Sequence, residues 1–279
     1  MKNLLLLSVL VCSCFVFSKQ SHADTIHIHT DNLADLYDLK SKSIINNFSV
    51  ATNLHALKNQ FGNIQFEYMT TKRSLMLMDN SKNICVVNRV KNKKRIEKYL
   101  FSRPVNIFLS RRLYQNTSYP PLKARESVDN SVILSELFIE RPKAKVIIST
   151  QISYGDVLDA QIAALPAVNK TTRHSGEQDT GVTAMFVKGR AEFALLYPHQ
   201  VYGSSFAING RSYAIASVPP YILGHLMCTK NDVTKAFIDS INNHLSLPKN
   251  LDKLLRIHIN YINPIDQVVI ESFFRQVFY

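Results

Sequence analysis

What the sequence lacks narrows the reading before anything it contains. After residue 17 no apolar run reaches the ~18 residues that a membrane-spanning helix requires. No run of five or more basic residues with interleaved aromatics occurs, which argues against a nucleic-acid groove. There is no Gly-x-Ser-x-Gly elbow to present a serine nucleophile and no His-x-x-x-His pair to begin a zinc site. His27 and His29 alternate on one strand, but no third and fourth ligand stand near them. Paired carboxylates in a glycosidase-like setting are not evident. Neither a repeat of solenoid period nor a low-complexity tract is found. The expectation is a non-enzyme without metal or cofactor.

Cysteine is scarce as well: four residues, of which Cys12 and Cys14 fall in the first 23. That segment has the layout of a secretory leader. Lys2 gives it a positive start, Leu4 to Phe17 is uncharged and apolar, and Ser21-His22-Ala23 is a small-x-small cleavage signal. Cleavage is expected after Ala23, with export to the periplasm. Lipidation at Cys14 is disfavoured, because Cys12 is an unusual neighbour for such a site. The remaining 256 of 279 residues suffice for two domains. They carry 31 basic against 21 acidic side chains, an excess that serves solubility or draws in anionic solutes. Cys85 and Cys228 both lie in strand-like apolar runs, "ICVV" and "ILGHLMC". In an oxidising compartment such a pair more often bonds than stays free. A bond would bring a late segment back beside an early one.

The pattern along the chain alternates. "DTIHIHT", "NIQFEYMT", "NICVVNRV" and "PVNIFLSRRLY" are strand-like. Between them stand helical stretches: "KSIINNFSVATNLHALKNQF", "TTKRSLMLMDN" and "KNKKRIEKYLF", the last capped by Asn92 and stopped before Pro104. "HTDNLADLYDLK" reads as the loop after the first strand. A polar stretch, 116–130, then leads to a second unit: "KVIISTQIS", the helix "YGDVLDAQIAAL", the polar "VNKTTRHSG", the helix "DTGVTAMFVKGR" and the strand "AEFALLYP". An extended run, 211–228, precedes a capped helix, 229–245, and a C-terminal helix, 263–279. This order predicts an α/β fold with mainly parallel sheets.

Both units carry a helix–turn–strand motif, "TTKRSLMLMDNSKNICVV" and "DTGVTAMFVKGRAEFALLYP". With "KNKKRIEKYLFSRP", the turn Gly189-Arg190-Ala191-Glu192 and Ser153-Tyr154-Gly155 heading a helix, the chain resembles the periplasmic solute-binding proteins of family 3. It is most similar to divergent members with one cysteine in the third strand and one in the returning segment, as Cys85 and Cys228 are. The resemblance implies a two-domain type II periplasmic binding protein fold with a central cleft and two hinge crossings. Domain 1 would comprise residues 24–110 and 217–279, and domain 2 residues 111–216. The crossings would lie near Leu109 to Arg112 and Ala214 to Val218.

In amino-acid-binding members of this family, the arginine six residues before the Phe of Phe-Ser holds the ligand carboxylate. Arg95 has that spacing to Phe101, and a guanidinium fork matches a carboxylate; a surface salt bridge is the competing role. Ser102 is a candidate ligand donor, or a cap where the chain leaves the helix. Tyr154 and Tyr197 are candidate cleft residues because they sit at strand or helix ends; core packing is their alternative. Two departures matter. Asn92 replaces the usual Thr, and Tyr197 stands where members that bind amino acids carry an aspartate for the ligand amine. The ligand expected is therefore anionic or aromatic-stacked rather than an ordinary α-amino acid. The partners implied are that small molecule and a membrane transporter or sensor, for a monomeric protein that does not bind nucleic acid. The alternative is a degenerate interaction or sensory module that keeps the fold without a small ligand.

Overall fold

A computed structural model describes residues 25–42, 47–80, 82–150, 152–174, 178–202, 210–262 and 264–279. The leader, its cleavage after Ala23, and Cys14 lie outside these residues, as do positions 43–46 of the long helix expected after the first strand. The chain begins with β1 (Ile26–Thr30), α1 (Leu33–Ser41), α2 (Phe48–Ala56), β2 (Ile64–Tyr68), α3 (Thr71–Met78), β3 (Ile84–Val90), α4 (Lys93–Ile96), β4 (Leu100–Phe101) and β5 (Asn106–Leu109). It then builds β6 (Arg112–Asn116), β7 (Ser131–Val132), α5 (Leu134–Glu140), β8 (Val146–Ser149), α6 (Asp156–Ala164), β9 (Lys170–Arg173), α7 (Gln178–Val187), β10 (Phe193–Leu196), α8 (Pro198–Tyr202) and β11 (Gly210–Ile215). It returns as β12 (Tyr221–Cys228) and ends in α9 (Asp232–Leu245), α10 (Pro248–Asn260) and α11 (Pro264–Phe278).

Two sheets divide these strands, one for each domain. The first runs β2-β1-β3-β12-β4, with β5 also paired to β12; the second runs β7-β11-β6-β10-β8-β9. The expectation of mainly parallel sheets holds for β1, β2 and β3 and again for β9, β8 and β10, with β7 parallel to β11, but β6 and β12 run against their neighbours. β12 lies antiparallel to β3, β4 and β5. The reason is topological: a strand that returns alongside the outgoing β5 must run against it. The two crossings are adjacent, since Tyr221 pairs with Leu109 in one sheet and Tyr213 with Leu113 in the other. Ser110 N–H donates to the Pro220 carbonyl between them, at 3.0 Å.

Cys85 and Cys228 are register partners of β3 and β12 and are joined by a disulfide across a separation of 143 residues. By the chain-entropy account, closing so long a loop contributes about 4–5 kcal/mol. The bond sits at the start of β3, at the opposite end from Arg89 and Val90. Around it, β-strand residues and the apolar faces of α2, α9, α10 and α11 form the first domain's core. α9 starts with a capping box between Asn231 and Thr234 and buries Phe237, Ile238, Ile241 and Leu245 on one face.

Local differences from the sequence expectation have identifiable causes. The stretch read as a loop after β1 is helix α1, because Asn32 Oδ1 accepts from the amides of Ala34 and Asp35. The helix expected over 91–101 is a single turn. Its tail is pulled straight at Leu100 and Phe101 by pairing with Cys228 and Met227. Helices α5 and α10 were not anticipated.

Candidate functional site

Ligands in open α/β sheets bind beyond the carboxyl ends of strands, and here such ends from both sheets face each other. From the first domain come Asp31, after β1, and the segment Asn88–Asn92 closing β3. From the second come Ile152 to Tyr154, beyond β8, and Tyr197 after β10. The two faces touch directly. Asn92 Nδ2 donates to Ser153 Oγ across the divide, at 3.2 Å. The Phe48 ring meets His199 edge-on, with centroids 5.5 Å apart.

Arg95 is half-buried on this face. Its amide is capped by Asn92 Oδ1 at 2.9 Å, and its Nη1 donates to the Val90 carbonyl at 3.0 Å. Burial, and then the nearby charge of Arg89, pull its guanidinium down to about 10; Asp159 of the second domain and Tyr99 oppose this. Arg89 is itself buried and lies 3.6 Å from Asp31, whose Oδ2 also accepts from Thr71 Oγ1 at 2.6 Å. Two cations thus stand within electrostatic reach of each other, with a carboxylate beside one of them. α4 has just one turn, so its dipole adds little to this anion-attracting end.

The second domain brings rings and a fixed loop. Tyr154 O–H and the Ser149 amide meet at 2.7 Å. Asp159 accepts from the Tyr154 amide at 2.8 Å and from Ser153 Oγ at 2.7 Å. Gly155 turns the chain into α6 with φ +94°, a conformation that side chains resist. Arg111, in the first crossing and only 6% exposed, lies over two tyrosines. Its guanidinium carbon is 3.8 Å from the Tyr197 ring centroid and 4.5 Å from that of Tyr154. A desolvated cation–π contact contributes up to about 2 kcal/mol. Tyr197 also stacks on His199 and packs on Phe108, which reaches Phe48.

The structure therefore brings Tyr154 and Tyr197 together on Arg111 and sets Arg95 on the facing side. Ser102 does not join them. It is buried beside β12, where its hydroxyl donates to the Arg103 carbonyl at 2.6 Å and accepts from the Leu226 amide at 3.1 Å. Nor does it cap a helix, since α4 ends at Ile96; it ties the chain between β4 and β5 to β12. Sequence reasoning passed over Arg89, Arg111 and Asp31. A faint signal existed for Arg111, an arginine inside an expected crossing. Nothing local marked Arg89.

Among the described residues, no His, Cys, Asp and Glu group is arranged to hold a metal ion, and no helix is long and apolar enough to cross a membrane. No protein-family model matches the sequence, and no curated protein does. Solved structures do match. The probable amino-acid ABC transporter extracellular-binding protein ytmK of Bacillus subtilis aligns at TM-score 0.57 and 16% identity, over 87% of this chain and 99% of that one. A histidine kinase sensor domain with similarity to periplasmic binding proteins aligns at 0.62 and 12%, over 86% and 96%. The periplasmic domain of BvgS of B. pertussis aligns at 0.61 and 14%, over 92% of this chain and 46% of that one. The fold is that of the type II periplasmic binding proteins. At these identities the likeness speaks for architecture: two α/β domains joined by two crossings, as the family resemblance implied.

Proposed function

We propose that the chain is an exported solute-binding protein that captures a small ligand by closing its two domains, on behalf of a membrane transporter or sensor. Domain 1 comprises residues 24–110 and 217–279; domain 2 is the insert 111–216. The observation that carries this reading is the pairing of Arg89 and Arg95 on one face with the Ser153–Tyr154 loop and Tyr197 on the other. An anion between the faces relieves the repulsion of the two guanidiniums, and the tyrosines, though only 5% and 8% exposed, give the second face an aromatic edge. Hence the ligand is anionic or carries an aromatic group. Tyr197 provides no counter-charge for an amine at its position. Binding shifts a population of open and closed forms, and no bond is made or broken. The structural neighbours support the reading by kind, since they include a transporter's binding protein and sensor domains.

A thermal-shift panel of small carboxylates, amino acids, polyamines and sugar acids tests it. A true ligand at 100 times its dissociation constant adds about 2.7 kcal/mol, which for a chain of this size is about 5 °C. The shift is expected to vanish in Arg95→Ala. A shift that survives this substitution removes Arg95 from the site.

A second reading is favoured by the direct contacts between the domains. Asn92–Ser153 and Phe48–His199 join the faces through the protein's own side chains. A sensory or interaction module could hold its domains together in this way without a small molecule. No shift with any member of the panel selects this reading over the first.

A further inference from the structure

The two crossings also enclose a pocket of about 500 Å³ on the flank of the hinge. It adjoins the site described above, since Arg111 lines it, but none of Asn92, Arg95, Ser153, Tyr154 or Tyr197 does. One wall is the first crossing, Leu109 to Arg112. Another is the second crossing, with Val218, Pro219 and Pro220. α11 supplies a third, through Asp266, Val269 and Phe273. Its size is that of an ordinary small-molecule site.

Three polar groups in it have capacity to spare. Ser110 is 9% exposed, and its buried hydroxyl has no hydrogen-bond partner among the described residues. A buried polar group in that state is unusual and wants an explanation. Arg112 donates from Nε to Ser212 Oγ at 3.2 Å and from Nη2 to the Ser212 carbonyl at 3.4 Å; its Nη1 donates to nothing among the described residues. Asp266 has neither a hydrogen bond nor an ion pair among them, although the charge of Arg112 reaches it. Burial holds its carboxyl above the usual range, with Arg112 opposing. Arg112 and Asp266 thus share one pocket without meeting; Arg111 and Ser212 line it as well, and Ile215, Val218, Val269 and Phe273 give it an apolar side.

We propose that this pocket is a second ligand site, one that takes a small zwitterion bearing a compact apolar group. The anionic end pairs with Arg112, the cationic end with Asp266, and the apolar part packs on Val218, Val269 and Phe273. Two of the walls are the crossings themselves. If the domains close as proposed above, occupancy of this pocket biases closure, and closure alters affinity here by the same factor. The site itself does not depend on that reading.

Calorimetric titration of the protein with three probes tests the proposal: L-leucine, 4-methylpentanoate, which lacks the amine, and 3-methylbutylamine, which lacks the carboxylate. Saturable binding of leucine is expected, with each single-charge analogue at least about tenfold weaker. Asp266→Asn and Val269→Trp, the latter filling the pocket from a half-exposed position, should each weaken leucine to a similar degree. Arg95→Ala should still bind leucine saturably. The proposal is overturned by absence of saturable leucine binding at millimolar concentration, or by equal binding of all three probes. It is equally overturned if binding is lost in Arg95→Ala yet kept in Asp266→Asn, which would place leucine between the domains. A leucine shift in the thermal panel that survives Arg95→Ala and is lost in Asp266→Asn reports this pocket and not the face that carries Arg95, so the two readings fail separately.

Discussion

Away from the interdomain face, where Arg89 stands, the two domains bury titratable groups of different kinds. The first buries neutral imidazoles: His29, His55, His225 and His258, with the half-buried His244, are all held below the ordinary histidine range, and burial is the leading cause for each. The second buries an ionised cluster. Arg141 bonds Glu126 at 2.7 Å and also Glu192, with all three side chains largely shielded. The hydrogen bond from Arg141 holds the Glu126 carboxyl below the usual range, and Glu126 in turn raises the guanidinium. Acid attacks both, but in different windows. A histidine lowered in the folded state is protonated first in the unfolded chain, so its penalty begins as pH falls through about 6.5. A depressed glutamate keeps its stabilisation until pH falls below the ordinary carboxylate value, near 4.3. The first domain is thus the one to loosen on mild acidification.

Three measurements break or sharpen this contrast. The largest effect is expected from Cys85→Ser with Cys228→Ser, which removes a constraint of about 4–5 kcal/mol by the chain-entropy account. Amide exchange should speed up in β1 and β3 and change much less in β8 and β10; a uniform change would mean that the domains unfold as one. Next is Arg141→Ala, which strands two buried carboxylates. Breaking such a cluster costs about 3–5 kcal/mol, read as faster exchange in β8 and β10 at neutral pH. The loss should shrink as Glu126 is protonated at low pH; a constant loss would assign the effect to packing. The smallest is His258→Asn. His258 Nε2 accepts from the Ile107 amide at 3.1 Å, Nδ1 lies 2.9 Å from the Leu254 carbonyl, and burial lowers the ring to about 4. From pH 7.5 to 4.5 the native protein should lose about 2–3 kcal/mol through this residue alone. Urea unfolding of the variant should show a flatter pH profile by that amount. An unchanged profile would mean that another imidazole carries the acid response.

How much of this could be read from the sequence depended on how local each cause was. The strand "IHIHT" was legible from its alternation, and "ICVVNRV" and "FALL" because burial on both faces of a sheet demands apolar runs. α9 was legible from its cap, and the Cys85–Cys228 pair from its compartment and setting. α10 also carried a usable signal, since Leu251, Leu254, Leu255 and His258 repeat at helical spacing after Pro248; it was passed over. The one-turn α4 could not be foreseen, because β12 straightens its tail from more than a hundred residues away. The site was split in the same manner. Tyr154 and Tyr197 were placed by their positions at element ends. Their meeting on Arg111 depends on where the crossing lies in space. Ser102 had the right spacing, but its hydroxyl was claimed by Leu226, 124 residues on.

The disulfide has a consequence for how the molecule can be cut. Cys85 and Cys228 clasp the first domain on either side of the insertion, so every residue from 86 to 227 lies inside one covalent ring. The whole second sheet, both crossings and the pocket walls they supply belong to that ring, while α11 lies outside it. A single backbone break within the ring opens it but does not divide the protein into two molecules. The second domain can therefore be nicked and still remain tethered at both ends to the first, so long as the sulfur bond is kept.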